Sequence, residues 1–224
     1  MTLQKDIYPI LALDISTSTA HACLFTSADH FNYAQSHNNN QHSQTVLPLL
    51  TQLLKTADIT WSDLHMLALG EGPGSFTGLR IASATMAGVN ASLKLPIWEL
   101  PSLGITAMQV ESHDKIWVIE DARAGEVFCG CYQHAQPILA DSCISRDELS
   151  QLSSTIQYYV SSDHFNINNP LWKHLPLTYE RGLGMVKYIQ TNISQLNDEH
   201  RPSHWTHPTY LQLSQAERQF QQHA

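Results

Sequence analysis

The sequence lacks the features that define membrane proteins and autonomous nucleic-acid-binding proteins. No apolar run approaches the ~20 residues that a membrane-spanning helix requires. Charged residues make up only 14% of the chain, and 12 Lys and Arg stand against 20 Asp and Glu, for a net charge of -8. A protein that holds nucleic acid by itself normally carries a basic stripe. Any contact with nucleic acid is therefore expected to be shared with a partner.

Cysteines are few, and their spacing does not suggest metal binding or a disulfide framework. The four cysteines, at positions 23, 129, 131 and 143, form no CxxC pair, and the sequence opens without a secretion signal. This pattern predicts a reduced, cytoplasmic protein. Cys129 and Cys131 alternate along an apolar run, which indicates buried packing.

Histidines are numerous, but their context argues against a metal site. The chain has 13 of them, and His200 and His204 are four residues apart, as in helical metal motifs. Pro202 and Pro208 disfavour a helix at this place, so the two imidazoles need not share a face. We predict no metal site and no catalytic residue in this chain.

The most distinctive stretch is Gly70-Glu-Gly-Pro-Gly-Ser-Phe-Thr-Gly-Leu-Arg80, which we name the glycine segment. It follows an apolar run and precedes a small-residue helix, so it predicts a strand, a tight turn and a helix. Ser75 is expected to cap that helix and to create a small anion-binding concavity. The alternative is a tight turn followed by a surface arginine. The residues expected to shape the turn are Gly72, Pro73, Gly74 and Gly78.

The order of predicted elements occurs twice along the chain. Three strands, a helix, a strand and a helix are predicted in residues 1–101, and again in residues 102–224. This α/β order is typical of the actin-like ATPase (ribonuclease H-like) fold, with two tandem βββαβα lobes that face each other across a cleft. The second lobe is expected to be smaller and degenerate.

Two aspartates are predicted at matching points of this repeat. Asp14 and Asp121 each close the first strand of a lobe, and in this architecture such aspartates organise a metal–phosphate complex. With Ser16 and Ser75 they form our candidate nucleotide site. The alternative is that both aspartates cap turns.

The helix after the glycine segment carries a second stripe of small side chains. Ala84, Gly88 and Ala91, which we name the small stripe, recur at helical spacing beside the apolar seam. Small residues allow close backbone approach, either to the helix's own sheet or to a partner helix. From spacing alone, both interpretations stay open.

Several motifs stand in order along the chain: Leu11-Ala-Leu-Asp-Ile-Ser-Thr, His42-Ser-Gln, Leu47-Pro, the glycine segment with Ile81, Asp121-Ala-Arg-Ala-Gly-Glu-Val and Pro208-Thr-Tyr-Leu. Together they resemble the TsaB (YeaZ) family of bacterial subunits that take part in making N6-threonylcarbamoyladenosine (t6A) in tRNA. Three residues depart from the usual pattern of that family: Ile15 stands in place of threonine, Ala82 in place of glycine, and Phe128 in place of tyrosine. The loss of a hydroxyl at position 15 weakens the phosphate argument for the first turn.

The resemblance implies a non-catalytic activating subunit. Such a subunit is required for t6A at position 37 of tRNAs that read codons starting with adenine, and it pairs with a TsaD-type transferase subunit. It further implies a TsaE-type ATPase as partner, a homodimer when alone, tRNA contact only through the complex, no membrane, and ATP or ADP with Mg²⁺ only at the complex interface. The partner surface implied by the resemblance comprises Leu50, Leu54, Arg80, Ala84, Gly88 and Ala91.

Two other activities are alternatives to this interpretation. An autonomous small-molecule kinase or ATPase of the same architecture would use Asp121 as base or metal ligand, but the second lobe lacks a clear adenosine motif. A glycoprotease-like peptidase would need a Gly-x-Ser-x-Gly elbow, and Ser75 stands one place too early between Gly74 and Gly78.

Overall fold

Two five-stranded mixed sheets form the framework of the chain in the computed structural model, which describes residues 7–36, 42–152, 155–162, 167, 171–196 and 207–212. The first sheet has the strand order β3-β2-β1-β4-β5. β1 runs antiparallel to β2 and parallel to β4. The elements of this lobe are β1 (Ile10–Asp14), β2 (His21–Phe25), β3 (Phe31–Gln35), α1 (His42–Thr56), a 3-10 turn (Trp61–Asp63), β4 (Met66–Gly72), α2 (Phe76–Leu93) and β5 (Ile97–Pro101).

The second sheet repeats this scheme strand for strand. Its order, β10-β9-β6-β7-β8, matches that of the first sheet read in reverse, β5-β4-β1-β2-β3. Strands β6 to β10 are the counterparts of β1 to β5. The predicted actin-like fold with two lobes is therefore confirmed, although β10 was not predicted. The elements are α3 (Ser102–Ala107), β6 (Lys115–Arg123), β7 (Glu126–Gln133), β8 (Gln136–Ser145), α4 (Arg146–Gln151), β9 (Tyr158–Val160), β10 (Lys173–His174), α5 (Arg181–Asn192) and a 3-10 turn (Ile193–Gln195).

The central strand β1 is apolar up to its last residue because helices cover both of its faces. Leu11 and Leu13 pack toward α1 and α2, whereas Ile10 and Ala12 lie in the cluster that includes α3 and α5. Strands that are buried on both sides read as continuous hydrophobic runs, as this one does. Asp14, the last residue of β1, is therefore delivered to a buried position.

The helices α3 and α5 form a layer between the two sheets. Met185, Val186 and Ile189 of α5 pack on the first sheet, and Leu103 and Ala107 of α3 pack on the second. The predicted division after residue 101 separates the two sheets in sequence, but α5 crosses it to complete the first core. The division into domains of residues 1–101 and 102–224 stays a prediction.

The described residues contain neither a membrane-spanning helix nor a metal-binding cluster. None of their helices is long and apolar enough to cross a lipid bilayer. They contain no group of three or more His, Cys, Asp or Glu arranged to hold a metal ion. Cys129 and Cys131 are buried in the sheet, which confirms their predicted packing role. His200 and His204 lie outside the described residues.

Candidate functional site

The glycine segment folds as predicted, from β4 through a tight turn into α2. Gly72 has a φ of +107°, which side chains other than glycine rarely adopt. The Ser75 hydroxyl accepts a hydrogen bond from the Gly78 amide at 3.3 Å, so Ser75 is the N-cap of α2 as predicted. The Ser75 amide in turn donates to the Ser16 carbonyl at 2.7 Å, which holds the turn against the β1–β2 connection.

The absence of side chains in this segment permits close backbone contact with the end of β1. A Cβ at Gly78 would lie 2.0 Å from the Ile15 carbonyl oxygen, and one at Gly74 would lie 2.4 Å from the Ser16 carbonyl oxygen. Side-chain atoms do not approach backbone so closely, so these positions admit glycine alone without rearrangement. The positive φ of Gly72 and the close contacts at Gly74 and Gly78 fit the structural role predicted for this turn, with Pro73 between them.

Asp14 lies beneath this turn and is engaged by neighbouring side chains. The Arg181 Nε donates to Asp14 Oδ2 at 2.6 Å, and the hydroxyls of Ser16 and Ser102 each donate to its carboxylate at 3.0 Å. The carboxylate is fully buried. It is thus held by an internal ion pair rather than displayed to a ligand.

The Arg181 guanidinium is satisfied almost entirely within the protein. Besides Asp14, it donates to the Thr106 hydroxyl at 2.7 Å, to the Ser16 hydroxyl at 2.8 Å and to the Ser102 carbonyl at 3.0 Å. Burial raises the pKa of Asp14, but the Arg181 charge and hydrogen bond outweigh burial and hold that pKa below its usual value. A metal ion at Asp14 would have to displace this guanidinium.

The prediction that Asp14 and Asp121 occupy matching points is wrong. β6 continues to Arg123, and Asp121 pairs with Val127, whose side chain lies in the cluster beneath α4. Asp121 therefore lies on the outer face, where Arg146 Nη2 donates to it at 3.0 Å. The residue that faces the helix layer, as Asp14 does, is Glu120.

Glu120 extends the Asp14 network into the second lobe. The Thr106 hydroxyl, which accepts from Arg181, donates to Glu120 Oε1 at 3.0 Å. The Ser162 hydroxyl donates to Glu120 Oε2 at 2.5 Å. A continuous polar chain thus joins a carboxylate of each sheet through Arg181 and Thr106. We name it the interlobe network.

A cleft of about 890 Å³ opens above the interlobe network, between the lobes. Its walls are the β1–β2 turn, the start of α2, the β6–β7 turn, the start of α5 and residues 209–212. Of the four candidate nucleotide residues, Ser16 and Ser75 line the cleft, and Asp121 borders it from the end of β6 while its side chain contacts Arg146 on the outer face. Asp14 lies below them, paired with Arg181. Nucleotide binding by these residues stays a prediction.

The predicted partner residues separate into two groups. Leu50 and Leu54 are buried against the first sheet, so their assignment to a partner surface is wrong. The small stripe is exposed throughout, and the space around a Cβ at Gly88 is open to beyond 4 Å. Arg80 is exposed at the head of this stripe, with its guanidinium 3.9 Å from the centre of the Phe76 ring.

A cluster of carboxylates lies between the lobes, near β4 and β8. Burial, together with the charges of Glu99 and Asp141, raises the pKa of Glu71 to about 7. Burial likewise raises the pKa of Asp141 to about 6, although the Tyr132 hydroxyl donates to it at 2.7 Å. The Thr209 hydroxyl donates to Glu71 Oε2 at 3.3 Å. This part of the molecule therefore titrates near neutral pH.

We expect Glu71→Gln to abolish a loss of folding stability that the wild-type chain undergoes as pH rises. The pKa of Glu71 is higher in the folded chain than the 4.5 of the free side chain, so its contribution is fully present below pH 4.5 and lost as pH rises through 7. Between pH 5 and pH 8, urea unfolding should show wild type losing about 1 kcal/mol relative to the variant, a value discounted for solvent contact. The titration of His21, whose pKa burial lowers to about 4, is common to both proteins and cancels. Parallel pH curves for the two proteins would contradict the shift.

Comparison with known proteins identifies the family of this chain. The family model "TsaD: tRNA N6-adenosine threonylcarbamoyltransferase" matches residues 34–174, more than half of the chain. The chain belongs to this family. Its resemblance to the TsaB (YeaZ) members is confirmed by curated relatives, and solved structures share its fold.

The relatives include the protein named "tRNA threonylcarbamoyladenosine biosynthesis protein TsaB" in several bacteria. The protein of Escherichia coli K12 is 31% identical over 130 residues, 55% of this chain and 54% of the relative. That of Bacillus subtilis 168 is 33% identical over 135 residues, 58% of this chain and 57% of the relative. The matched segment thus spans little more than half the length of these TsaB proteins.

YeaZ from Pseudomonas aeruginosa has the same fold. It superposes with a TM-score of 0.69 at 22% identity, over 90% of this chain and 99% of that one. A second Pseudomonas aeruginosa structure, described as similar to peptidase YEAZ, gives a TM-score of 0.73 over 91% of this chain and 99% of that one, also at 22% identity. The two-lobed architecture is therefore that of the YeaZ proteins.

Sequence reasoning missed Arg181, Glu120 and Thr106, three members of the interlobe network. Arg181 is 167 residues from Asp14, and no local pattern connects the two. A basic residue at the start of an amphipathic helix is usually expected to be exposed to solvent. The one available signal was that a buried strand closing on Asp14 required a cationic or hydrogen-bonding partner from elsewhere.

Proposed function

We propose that this chain is a non-catalytic subunit that activates a TsaD-type transferase in the formation of t6A at position 37 of tRNAs reading codons that start with adenine. Family membership and the names of the TsaB relatives support this pathway. The observation that carries the pairing role is the exposed small stripe on α2, which offers a helix surface that another backbone can approach closely.

The composition of the small stripe suits a helix–helix interface. Ala84, Gly88 and Ala91 expose few side-chain atoms, so pairing there buries surface without ordering long side chains. Arg80, at one end, supplies a cation for an acidic group on the partner. The same surface on a second copy would form the homodimer proposed for the chain alone, and the transferase subunit would then replace that copy.

The interlobe network supports a role without independent catalysis. In this chain the Asp14 carboxylate is buried beneath the cleft and paired with Arg181, which lines the cleft wall. The subunit is therefore proposed to need no cofactor of its own, and ATP or ADP with Mg²⁺ is proposed only at the interface of the complex. This argues against an autonomous kinase, and we expect no steady ATP turnover by the chain alone.

The remaining partners follow from charge and family. With a net charge of -8, the chain is proposed to meet tRNA only within the complex. A TsaE-type ATPase subunit is proposed as the third component. Neither partner requires a binding site in the cleft of this chain.

Gly88→Phe is expected to abolish pairing with the transferase subunit and to leave the fold intact. Among the described residues, no atom outside its own helix and its chain neighbours lies within 4 Å of a Cβ at this exposed position, so a phenylalanine has space to fit, but its ring would hold a partner helix away. We expect the dissociation constant to rise by at least about 100-fold, measured by sedimentation or titration calorimetry with the purified transferase subunit.

Ser150→Phe provides the matched control. Ser150 is exposed on α4, which packs on the outer face of the second sheet, whereas α2 packs on the first sheet. This variant should bind like wild type. If Gly88→Phe also bound like wild type, the interface would not lie on the small stripe.

A further inference from the structure

Residues 208–212, which we name the strap, cross from one lobe to the other along the edge of the cleft. The Thr209 amide donates to the Glu71 carbonyl at 2.7 Å, and the Thr209 carbonyl oxygen lies 3.0 Å from where a Cβ would stand on Gly72. The strap therefore passes directly over the turn that begins the glycine segment. The missing side chain at Gly72 leaves room for it.

The next strap residue contacts the first turn of α2. The ring of Tyr210 lies 4.8 Å from that of Phe76, and the Arg80 guanidinium lies over the Phe76 ring. Tyr210, Phe76 and Arg80 thus form one aromatic–cation cluster at the head of the small stripe, with the two rings tilted by 46°. Tyr210 remains 45% exposed, so it contributes to the position of Phe76 more than to the core.

The far end of the strap is fixed to the second lobe. Leu211 packs against the apolar cluster between α3 and the second sheet, which contains Val118 and Phe128. The Gln212 side-chain amide donates to Glu126 of β7 at 2.5 Å. The strap therefore connects the start of α2, in the first lobe, to the core of the second lobe.

We propose that the strap positions the partner-binding surface, with Tyr210 holding the first turn of α2 through Phe76 and with Leu211 anchoring that hold in the second lobe. The inference deepens the proposed function and rests on it for the identity of the partner, a TsaD-type subunit. Tyr210 and Leu211 are positioning residues in this scheme. Loosening either one frees the turn that carries Arg80, and pairing then has to restore its order at a cost in affinity.

The first measurement uses the full chain alone and needs no partner. The amides of Gly78 and Leu79 are bonded to Ser75, so their hydrogen exchange reports the order of the first turn of α2. Tyr210→Ala and Leu211→Ala should each raise these exchange rates roughly tenfold, and Tyr210→Phe, which keeps the ring, should restore the wild-type rate. The melting temperature should change little for Tyr210→Ala, because that side chain is half-exposed.

The second measurement determines affinity for the transferase subunit. Tyr210→Ala and Leu211→Ala should weaken pairing by roughly tenfold, and Tyr210→Phe should pair like wild type. Weaker pairing without faster exchange would identify Tyr210 as a direct contact and overturn the positioning role. Unchanged exchange and unchanged pairing would overturn it as well. Faster exchange in a chain whose wild type does not bind the subunit would support the strap and contradict the proposed function.

Discussion

Arg181→Met is expected to lower the free energy of unfolding by about 3–5 kcal/mol at pH 7, the largest effect that we predict for a single side chain. The substitution leaves the Asp14 carboxylate fully buried without its cation, while Ser16, Ser102 and Thr106 lose a donor or partner. Breaking a buried pair costs far more than the pair itself is worth, because one charge remains unpaired. Urea unfolding of the two proteins measures the difference.

The double variant Asp14→Asn with Arg181→Met is the control for this interpretation. It removes both charges, so its loss of unfolding free energy should be well below the sum of the losses in Asp14→Asn alone and Arg181→Met alone. The cost of Arg181→Met should also shrink at acid pH, where the unpaired Asp14 is protonated. The wild-type contribution has the same sign, because the folded pKa of Asp14 is lowered, and that contribution is lost as pH falls through it. A loss below about 1 kcal/mol in the single variant would contradict the structural importance of the network.

Gly78→Ala is expected to destabilise the chain by about 3 kcal/mol or more, the upper range for overpacking. Its new methyl group would stand 2.0 Å from the Ile15 carbonyl oxygen, which is backbone and cannot turn aside. The start of α2 would have to move away from β1, with loss of the contact between Ser75 and Ser16. Thermal unfolding provides the measurement.

Gly88→Ala, further along the same helix, should instead stabilise the chain. Outside its own helix and its chain neighbours, no atom of the described residues lies within 4 Å of the position of a Cβ at Gly88, and alanine favours a helix by about 1 kcal/mol over glycine. The variant should therefore be slightly more stable than wild type. Equal effects of Gly78→Ala and Gly88→Ala would mean that the close approach to Ile15 does not constrain the turn.

The sequence predicted the elements whose patterns are local. β1 and β4 are continuous apolar runs, α2 has an apolar seam, and Ser75 stands where a cap is needed, so strand, turn and helix could be placed. The repeat of element order then gave the two-lobed fold. Each of these inferences used residues no more than a few turns apart.

The sequence did not predict features that depend on contacts between residues far apart in the chain, or on which face of a strand or helix a side chain occupies. Asp121 and Glu120 are adjacent, and alternation along β6, in which Ile116 and Val118 face the helix layer, decides that Glu120 faces it. Leu50 and Leu54 lie on an apolar stripe that suits a core and a partner equally well. The structure assigns them to the core, because the first sheet lies beneath that face of α1.

The course of α5 has a consequence for the order in which the chain can fold. Met185, Val186 and Ile189 cover the face of the first sheet that includes Ile10 and Ala12. During synthesis, the part of that face that α5 covers stays open to water until α5 has left the ribosome, although every strand of the sheet was made long before. The N-terminal lobe therefore cannot mature first, and both lobes should reach their native state together, late and cooperatively.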